Sequence, residues 1–571
     1  MARAKPVEKV HQSYGSHFDA MCVTAGRFWP RCVLPSGEEV IFVDLLMQDV
    51  RVALRNLTLA NGIRRMHPAR IVALVGPDPD WRDTIWQYYD TDQLSKMATA
   101  WGAVDVIDVG QMIADTLQGV NTFEVAGHTI TLPEATDIPQ QEYDDIVAAT
   151  AVRIMRVPEV DEQVASEPTY KRLVERSKHY ARIYDALFSQ IPTAAFVTSH
   201  IDYAQWGLAV EAGMRLDVPV IHVQSTGSLK AYALFPDQIE GEGTYRMQMT
   251  RLIAEYFEEC VWKHRDALRR SAELSTWRSK VNLGRPSWWR GGGSVSQLEF
   301  RTRAERDSVR TFAARRFGWD PAKPIITVFD HAVSDAVRSN KEIFDNLGHW
   351  FRETVEFAAE NPDVNWLFVD HPAQAFYDST QMFEKLAEKY GHLDHMVFTP
   401  SMDLSKNVIW SLVDYAVTVR GSVSNEYPAY GIPALQAGWS EWSHCGISRR
   451  ADTQEEYWQY LREAMDGLNR GDRMITKEQI ERARLWLVYY RALSDVASPL
   501  VPHWESSQAA RLYMGVNLAM SHIEADGDNV LIATRRMWDR HEPFLTRAEL
   551  HAPTEELPAI LGLVSDLEES H

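Results

Sequence analysis

Short apolar segments alternate with amphipathic helical segments along most of this sequence. In the first half, apolar segments at 39–46 and 69–76 flank a helical segment at 50–62. In the second half, the same alternation returns around the apolar segments 325–329 and 365–369. Strands that alternate with helices at this spacing build parallel sheets covered by helices on both faces. The sequence therefore predicts an α/β protein with a parallel sheet in each half.

The chain has 571 residues, which is too long for a single hydrophobic core. We predict an N-terminal domain at 1–300, a second domain at 301–475, and a helical C-terminal segment at 476–571 that packs back on the first domain. The stretch at 286–296, PSWWRGGGSVS, interrupts all periodicity. We interpret it as a linker with an accessory loop near the domain boundary.

Composition excludes several classes of protein. The 79 acidic and 59 basic residues give a net charge of −20, which argues against a general nucleic-acid binder. The four cysteines show no CxxC spacing, so neither a zinc site nor a disulfide framework is predicted, and a cytoplasmic setting is expected. No apolar run has the length of a signal peptide core or a membrane span, which leaves peripheral membrane contact open.

The stretch 414–438, DYAVTVRGSVSNEYPAYGIPALQAG, predicts a strand, a tight turn through Gly421 and a helix that begins near Ser424. A helix start presents unpaired backbone N–H groups that attract phosphate, and Ser422 adds a second hydroxyl there. In the first turn, Glu426 is suited to accept hydrogen bonds from ribose hydroxyls. The alternative is that Ser424 only caps the helix and Glu426 only complements its dipole.

Polar residues follow three predicted strands of the second half. His331 follows the strand at 325–329, His371 follows the strand at 365–369, and Arg420 opens the turn after the third strand. Because the carboxyl ends of parallel strands meet at one edge of a sheet, we expect these side chains to converge. Two histidines beside a helix start suited to phosphate indicate a nucleotide pocket. Metal binding by both histidines is the alternative, although their spacing is not that of a helical HxxxH.

Two features of the first half also have two interpretations. His200 and Asp202 lie at or just past the C-terminal end of the segment 194–200, where a histidine is well placed for catalysis or is simply a loop residue bonded to backbone carbonyls. The run Asp78-Pro79-Asp80 allows a metal-binding DxD motif or a turn stiffened by proline. We favour the turn, because turns are what Pro and Asp usually supply.

Four motifs follow one another along the chain: SHIDYAQWGLAVEAGMRLDVPVIHV, VFDHAVSDA, VDHP and VRGSVSNEYPAYGIPALQAG. Together they resemble bacterial capsule and surface-polysaccharide glycosyltransferases, with a His-Pro motif similar to that of sialyltransferase-like and Kdo-transferase-like enzymes. The resemblance covers about half of the chain. It implies the GT-B architecture, in which two Rossmann-like domains face each other across a cleft. It further implies a CMP- or UDP-sugar donor bound to the C-terminal domain, a glycan or lipid-linked acceptor bound to the N-terminal domain, and no other cofactor.

The resemblance also implies roles for individual residues. His371 is expected to bind the donor nucleotide, Ser422 and Ser424 its phosphates, and Glu426 its ribose. The full set of expected nucleotide-sugar-binding residues is His331, His371, Arg420, Gly421, Ser422, Ser424 and Glu426; the expected catalytic residues are His200, Asp202 and Asp335, and no metal ligand is expected.

Some positions match the family pattern and others depart from it. His331 and Asp335 match an HxxxDA turn that faces the cleft, and His200 matches the histidine that opens the N-terminal motif. Asp370 stands where a lysine is expected before His-Pro, which removes one phosphate contact. Arg420 stands where a neutral residue is commoner before the glycine, and its guanidinium is able to replace that contact.

Glycosyl transfer needs stabilisation of the leaving phosphate and a base for the acceptor hydroxyl. Helix N-termini, serine, histidine and arginine meet the first need without a metal, and His200 or Asp202 meets the second. The alternatives are a polyol-phosphate transferase or a nucleotide-sugar epimerase on the same fold, or a non-catalytic subunit that binds a nucleotide sugar or glycan.

Overall fold

The computed structural model describes residues 15–47, 49–86, 89–224, 229–266, 268–269, 303–335, 343–401, 403–404, 406–494, 496–502 and 509–546. Contacts divide the chain into two compact units. The first unit draws its described residues from Met1–Val147, Pro168–Gln248 and Leu493–His551. The second draws its described residues from Ala148–Glu167 and Met249–Ala492.

Strands and helices alternate in both units. In chain order the strands are β1 (Val40–Asp44), β2 (Arg70–Val75), β3 (Ala103–Asp108), β4 (Thr122–Val125), β5 (His128–Thr131), β6 (Thr193–Thr198), β7 (Val220–Gln224), β8 (Lys230–Leu234), β9 (Ile325–Phe329), β10 (Asn365–Val369), β11 (Met396–Thr399), β12 (Tyr415–Thr418), β13 (Ala434–Gln436) and β14 (Arg449–Arg450). The helices are α1 (Gly15–Phe28), α2 (Val50–Arg64), α3 (Pro79–Trp81), α4 (Thr91–Ala100), α5 (Val109–Leu117), α6 (Gln140–Met155), α7 (Glu162–Ser166), α8 (Pro168–Gln190), α9 (Ala204–Arg215), α10 (Tyr245–Cys260), α11 (Arg303–Phe317), α12 (Leu347–Ala359), α13 (Gln374–Tyr377), α14 (Met382–Tyr390), α15 (Lys406–Leu412), α16 (Val423–Glu426), α17 (Gln454–Arg470), α18 (Lys477–Val488), α19 (Ala509–His522) and α20 (Asn529–Arg540).

The first unit is built on a six-stranded sheet with the order β3-β2-β1-β6-β7-β8. Its strands pair in parallel except for β8, which runs antiparallel to β7. Between β3 and β6 the chain also forms the antiparallel hairpin β4–β5. All five residues of the central strand β1 are buried, as expected for a strand covered on both faces.

Helices cover both faces of the first sheet. On one face, alternate residues of the strands pack with α1, α2 and α4 and with the late helices α19 and α20 in one apolar core. On the other face, Phe188 of α8 contacts Phe42 and Phe196, with ring centroids 5.5 Å apart in each pair. The sequence predicted a helical C-terminal segment that packs back on the first domain. Of the helices in that segment, α19 and α20 belong to the first unit, whereas α18 belongs to the second.

The second unit repeats the same design. Its sheet has the order β11-β10-β9-β12-β13-β14, and all its strand pairs are parallel. Ile326 and Val328 face a core shared with α12, α14 and α17, whereas Ile325 faces a separate core shared with α11 and α15. Both units are therefore Rossmann-like, which confirms the predicted fold class of two α/β domains.

The units do not follow the boundaries expected at 300 and 475. Two helices, α6 and α10, each contribute residues to both units, so the chain passes from one unit to the other inside a helix. The helical periodicity of the sequence continues through each of these helices. The sequence therefore does not mark the residue at which the chain passes from one unit to the other. The expected linker at 286–296 lies outside the described residues. Among the described helices, none combines the length and apolar character of a membrane span.

Candidate functional site

Three neighbouring strands of the second sheet end at one edge. β9 pairs in parallel with β10 on one side and with β12 on the other. The chain first adds β10 and β11 on one side of β9 and then crosses to β12, so the strand order reverses between β9 and β12. Ligands of open α/β sheets bind outside the carboxyl ends of the strands at such a reversal. The residues that follow these three strands are therefore candidates for a ligand site.

His331 and His371 meet at this edge. Their ring centroids are 5.9 Å apart and their planes are 22° from parallel. Desolvation, followed by the charge of Arg420, lowers the pKa of His331 to about 3. Desolvation also lowers the pKa of His371. Both imidazoles are therefore neutral at neutral pH, so each ring has one N–H donor and one acceptor nitrogen.

Arg420 lies close enough to His331 for its charge to lower the pKa of that histidine, and it is held by the backbone. Its Nη2 donates a hydrogen bond to the carbonyl oxygen of Asp335 at 2.9 Å. The Asp335 carboxylate is close enough to favour the charged forms of both His331 and His371. The structure thus brings four of the predicted residues together, and Arg420 supplies a fixed positive charge among neutral rings.

A second cation near this edge comes from a part of the chain that the sequence analysis did not single out. The guanidinium of Arg153, in α6, lies 4.0 Å from the ring centroid of Tyr377. That ring is 6.4 Å from the ring of His371. One terminal nitrogen of Arg153, Nη1, is buried and has no hydrogen-bond partner among the described residues. Arg153 therefore has unused donor capacity beside the histidine pair.

Two acidic residues, Asp330 and Asp370, follow β9 and β10 at this edge. Asp330 follows β9 and is buried, and desolvation raises its pKa well above the usual range. Its Oδ1 accepts a hydrogen bond from the His331 backbone N–H at 2.8 Å, while Oδ2 has no partner among the described residues. Asp370, which stands where the resemblance led us to expect lysine, accepts a hydrogen bond from the Ser401 backbone N–H. This hydrogen bond joins Asp370 to the loop after β11.

The turn after β12 is short and tight. The backbone N–H of Gly421 donates to Thr418 Oγ1 at 3.2 Å, and a Cβ at this position would come within 2.8 Å of the same oxygen. The helix that follows, α16, starts after Ser422 and has only four residues. The Ser422 side chain does not cap it, and Glu426 is half-buried in its first turn. Gly421 and Ser422 therefore lie in the turn after β12 and Glu426 lies at the end of α16, and their expected contacts with a donor stay predictions.

Ser424 has a different environment from Ser422. It is buried, and its Oγ donates to the carbonyl oxygen of Gly421 at 2.8 Å. The same oxygen accepts hydrogen bonds from Gln436 Nε2 at 2.9 Å and Trp442 Nε1 at 3.0 Å. One donated and two accepted bonds use the full capacity of a hydroxyl. Ser424 therefore holds the turn together, and we do not include it in the set that would bind phosphate.

His200 lies at the corresponding edge of the first sheet, in the other unit. It follows β6, which pairs with β1 where that strand order also reverses. Asp44, at the end of β1, is fully buried, and its Oδ2 accepts hydrogen bonds from the backbone N–H and the hydroxyl of Ser199. The carboxylate of Asp44 thus fixes the turn that carries His200.

Asp202 holds His200 and an arginine together. Its carboxylate forms a fork with Arg246, in which Nη2 lies 2.7 Å from Oδ2 and Nε lies 3.4 Å from Oδ1. His200 Nδ1 lies 3.6 Å from the same Oδ2. Although burial opposes it, the charge of Arg246 and the bonds from both partners hold the pKa of Asp202 well below its usual range. Asp202 is therefore an ionised anchor, and a poor proton acceptor.

Aromatic rings pack around His200. Its ring centroid lies 5.1 Å from that of Trp206 and 5.3 Å from that of Tyr203. Tyr203 has a φ of 66°, a conformation that costs free energy for a residue with a Cβ, and Trp81 packs 4.6 Å from its ring. Residues held in such conformations cluster at functional sites, which makes this turn a second candidate location for chemistry.

At Asp78-Pro79-Asp80, where the sequence favoured a turn, the structure has the start of the short helix α3, which Asp78 caps. Asp78 Oδ1 accepts hydrogen bonds from the backbone N–H groups of Asp80 and Trp81, and Arg176 forms ion pairs with both aspartates. Their carboxylates are thus occupied by an arginine. Within the ranges that the structure describes, no group of three or more His, Cys, Asp or Glu side chains is arranged to hold a metal ion.

No family model matches this sequence, and no curated protein matches it. Among solved structures, the chain is similar to the β-Kdo 2,4-transferase KpsC of Thermosulfurimonas dismutans, with 14% identity, coverage of 53% of this chain and 80% of that chain, and a TM-score of 0.30. It is also similar to HepE of Anabaena in complex with UDP and glucose, with 9% identity, coverage of 80% and 95%, and a TM-score of 0.27.

A third similar structure is a putative UDP-N-acetylglucosamine 2-epimerase from Listeria monocytogenes, with 11% identity, coverage of 78% of this chain and 91% of that chain, and a TM-score of 0.26. The similar structures thus include both transferases and epimerases. At these TM-scores they assign neither a substrate nor a residue role to this chain.

Proposed function

We propose that this chain is a glycosyltransferase that moves a sugar from a CMP- or UDP-sugar to a hydroxyl acceptor. One observation carries the proposal: His331, His371 and Arg420 converge outside the carboxyl ends of β9, β10 and β12, where the strand order reverses. A cation beside neutral hydrogen-bond donors is suited to a phosphate group.

The donor would bind at this edge of the second sheet. Arg420 and Arg153 would lie against its phosphate. The neutral ring of His371, whose Nδ1 accepts a hydrogen bond from the Ala373 backbone N–H, would donate the N–H of Nε2. Because these charges are already in place, they would stabilise the negative charge that develops on the leaving phosphate without reorganisation. Asp335 is a positioning residue in this scheme, since its carbonyl oxygen holds the guanidinium of Arg420.

The acceptor hydroxyl would be activated by His200. With Nδ1 turned toward the ionised Asp202, Nε2 is the nitrogen that takes the proton as the acceptor oxygen bonds to the anomeric carbon. The bond from that carbon to the donor phosphate breaks in the same step, and the nucleotide leaves with the electron pair. Asp202 orients the base, as the carboxylate of a catalytic triad does.

The acceptor that best fits the sequence resemblance is a glycan or a lipid-linked glycan of surface-polysaccharide (capsule) synthesis. Such an acceptor would bring the protein to the inner face of a membrane as a peripheral protein. The proposed transfer needs no metal ion, because arginine and histidine supply the phosphate contacts.

A second candidate activity is nucleotide-sugar epimerisation. It is favoured by two groups at the donor edge whose pKa values are shifted apart: Asp330, whose pKa burial raises, and His331, whose pKa desolvation lowers to about 3. An acid and a base next to a bound sugar are what proton abstraction and return require.

Incubation with UDP- and CMP-sugars separates the two activities. A glycosyltransferase releases nucleotide in step with sugar transfer to an added acceptor, whereas an epimerase converts one nucleotide sugar into another with no acceptor present. We expect acceptor-dependent release that the His371→Ala variant lacks. Accumulation of an epimeric nucleotide sugar would replace the transferase proposal with the epimerase.

A further inference from the structure

A strongly basic pocket lies in the second unit, outside the candidate donor site. It is a cavity of about 330 Å³ at the start of α18. Five cations and one carboxylate line it: Arg265, Arg269, Arg473, Lys477, Arg484 and Glu481. We refer to these residues as the basic pocket. In a chain with a net charge of −20, such a local excess of positive charge is unlike the rest of the protein.

Little of this positive charge is neutralised by the protein itself. Arg269 lies 3.2 Å from Asp266, but both side chains are highly exposed, so the pair is weak. Within the described part of the chain, the side chains of Arg473 and Lys477 form no ion pair and no hydrogen bond, whereas the neighbouring Arg470 pairs with Asp472. By contrast, Arg482, on the same helix but outside the pocket, pairs with both Glu258 and Glu478.

Two of the pocket arginines are held in place by contacts that leave donors available. Arg484 Nε donates to the carbonyl oxygen of Ala429 at 2.9 Å. Arg265 Nη1 donates to the carbonyl oxygen of Trp262 at 3.2 Å, and its guanidinium lies 4.9 Å from the centre of that ring. An arginine anchored through one nitrogen keeps further N–H donors for a ligand. The pocket is thus prepared for an anion before any ligand arrives.

The basic pocket is separate from the candidate donor site. Ala429 lies in the 3₁₀ segment Pro428–Tyr430, which leads from α16 towards the amino end of β13. Because β12 and β13 are parallel, this connection runs from the carboxyl edge of the sheet back to the opposite edge. Arg484 therefore contacts the part of the chain that lies away from His331 and His371.

We propose that the basic pocket binds a ligand that carries a diphosphate group. A single carboxylate or phosphate would leave most of the five cations without a counter-charge, whereas a diphosphate presents several oxygens and more than one negative charge. The cavity volume is within the range of small-ligand sites. This binding would not depend on glycosyl transfer. The diphosphate could come from a soluble nucleotide or from a lipid-linked diphosphate.

The test uses the full chain and inorganic pyrophosphate as the probe. Calorimetric titration at low salt is expected to show binding that orthophosphate reproduces only weakly. The double variant Arg473→Gln/Lys477→Gln should weaken pyrophosphate binding about tenfold or more, because it removes two charge-assisted contacts. The matched control Lys263→Gln/Arg470→Gln removes two exposed charges near the pocket, each paired to a carboxylate on the surface, and should bind as the wild type does.

Three further results decide the interpretation. Pyrophosphate that also binds at the donor edge would appear as a second site, so the His371→Ala variant should keep the binding site that the pocket variant loses; loss of that site in His371→Ala with its retention in the pocket variant would overturn the proposal. Absence of binding, or equal loss in the control variant, would overturn it as well. If pyrophosphate binds, competition by UDP or by vesicles containing a polyisoprenyl diphosphate identifies the source. Binding to phosphatidic-acid vesicles without pyrophosphate binding would contradict the diphosphate proposal.

Discussion

The imidazole rings of His331 and His371 lie nearly parallel, with 5.9 Å between their centroids, although each follows a different strand. Their pairing arises from sheet register, because β9 and β10 are adjacent and parallel and end side by side. Desolvation keeps both rings neutral, and Arg420 adds the positive charge that the site would use against a phosphate. The predictions that follow test this division of roles.

Replacing Arg420 should weaken donor binding strongly. The Arg420→Gln variant loses the guanidinium that is held by the Asp335 carbonyl oxygen, and with it a charge-assisted contact worth about 2 kcal/mol, or about thirtyfold in Kd. Calorimetric titration with UDP and CMP checks this. The matched control is Arg449→Gln on β14, whose guanidinium pairs with Glu463, and it should bind the nucleotide as the wild type does. Equal effects in both variants would mean that Arg420 has no specific role.

Two serines in one turn should respond in opposite ways. Ser424→Ala removes a hydroxyl with three hydrogen bonds and leaves Trp442 Nε1 and one N–H of Gln436 Nε2 without that acceptor, so the free energy of unfolding should fall by about 2 kcal/mol. Ser422→Ala should leave stability unchanged and weaken donor binding. Chemical denaturation and nucleotide titration of both variants check the contrast. If Ser422→Ala lost stability and Ser424→Ala did not, the structural role would belong to Ser422 and not to Ser424.

Asp202→Asn should lower kcat without changing donor affinity. The amide no longer balances Arg246 or orients His200, whereas the donor would bind to the other unit. We expect kcat to fall by about 100-fold or more, as for loss of a base-orienting carboxylate. The control Glu255→Gln also removes a carboxylate paired to an arginine, but on an exposed helix face, and should keep full activity. A parallel loss of donor affinity in Asp202→Asn would contradict this assignment.

Acid should destabilise the protein through His222. Desolvation lowers the pKa of this histidine to about 3 in the folded chain, against 6.5 as its ordinary value. Between these values the unfolded chain binds more protons, so the free energy of unfolding falls as pH decreases from 6.5, by at most about 1.4 kcal/mol per pH unit. When denaturation is measured at pH 7.5 and at pH 5, the free energy of unfolding should therefore fall less in His222→Gln than in the wild type.

The exposed His392 is the matched control for this titration. His392→Gln should lose stability on acidification as the wild type does. If His222→Gln and His392→Gln have the same pH dependence, the acid sensitivity comes from other groups.

The second sheet and its edge could be predicted because they depend on local patterns. Apolar runs such as Ile325–Phe329 mark buried strands, and parallel strands place the residues after them at one edge whatever their distance in sequence. His331, His371 and the turn at Gly421 were therefore predictable. A helical segment at 476–571 was also predicted, and of its helices α19 and α20 lie in the first unit whereas α18 lies in the second.

Other parts of the site depend on contacts that no local pattern reveals. Arg153 lies in a region of weak periodicity and reaches the edge because its helix passes from one unit to the other. The partner of Asp202 is Arg246, which lies in α10, beyond α9, β7 and β8, and resembles any surface arginine in the sequence. Ser424 looked available for phosphate because its partners Gln436 and Trp442 lie 12 and 18 residues further along the chain, where no local pattern links them to it.

The most direct test of the central claim is the binding of UDP and CMP to the wild type and to the double variant His371→Gln/Arg420→Gln, measured by calorimetry. If the ends of β9, β10 and β12 form the donor site, one of the two nucleotides binds the wild type and loses at least about tenfold in affinity in the variant. Undiminished nucleotide binding in a folded double variant would contradict the assignment of this edge.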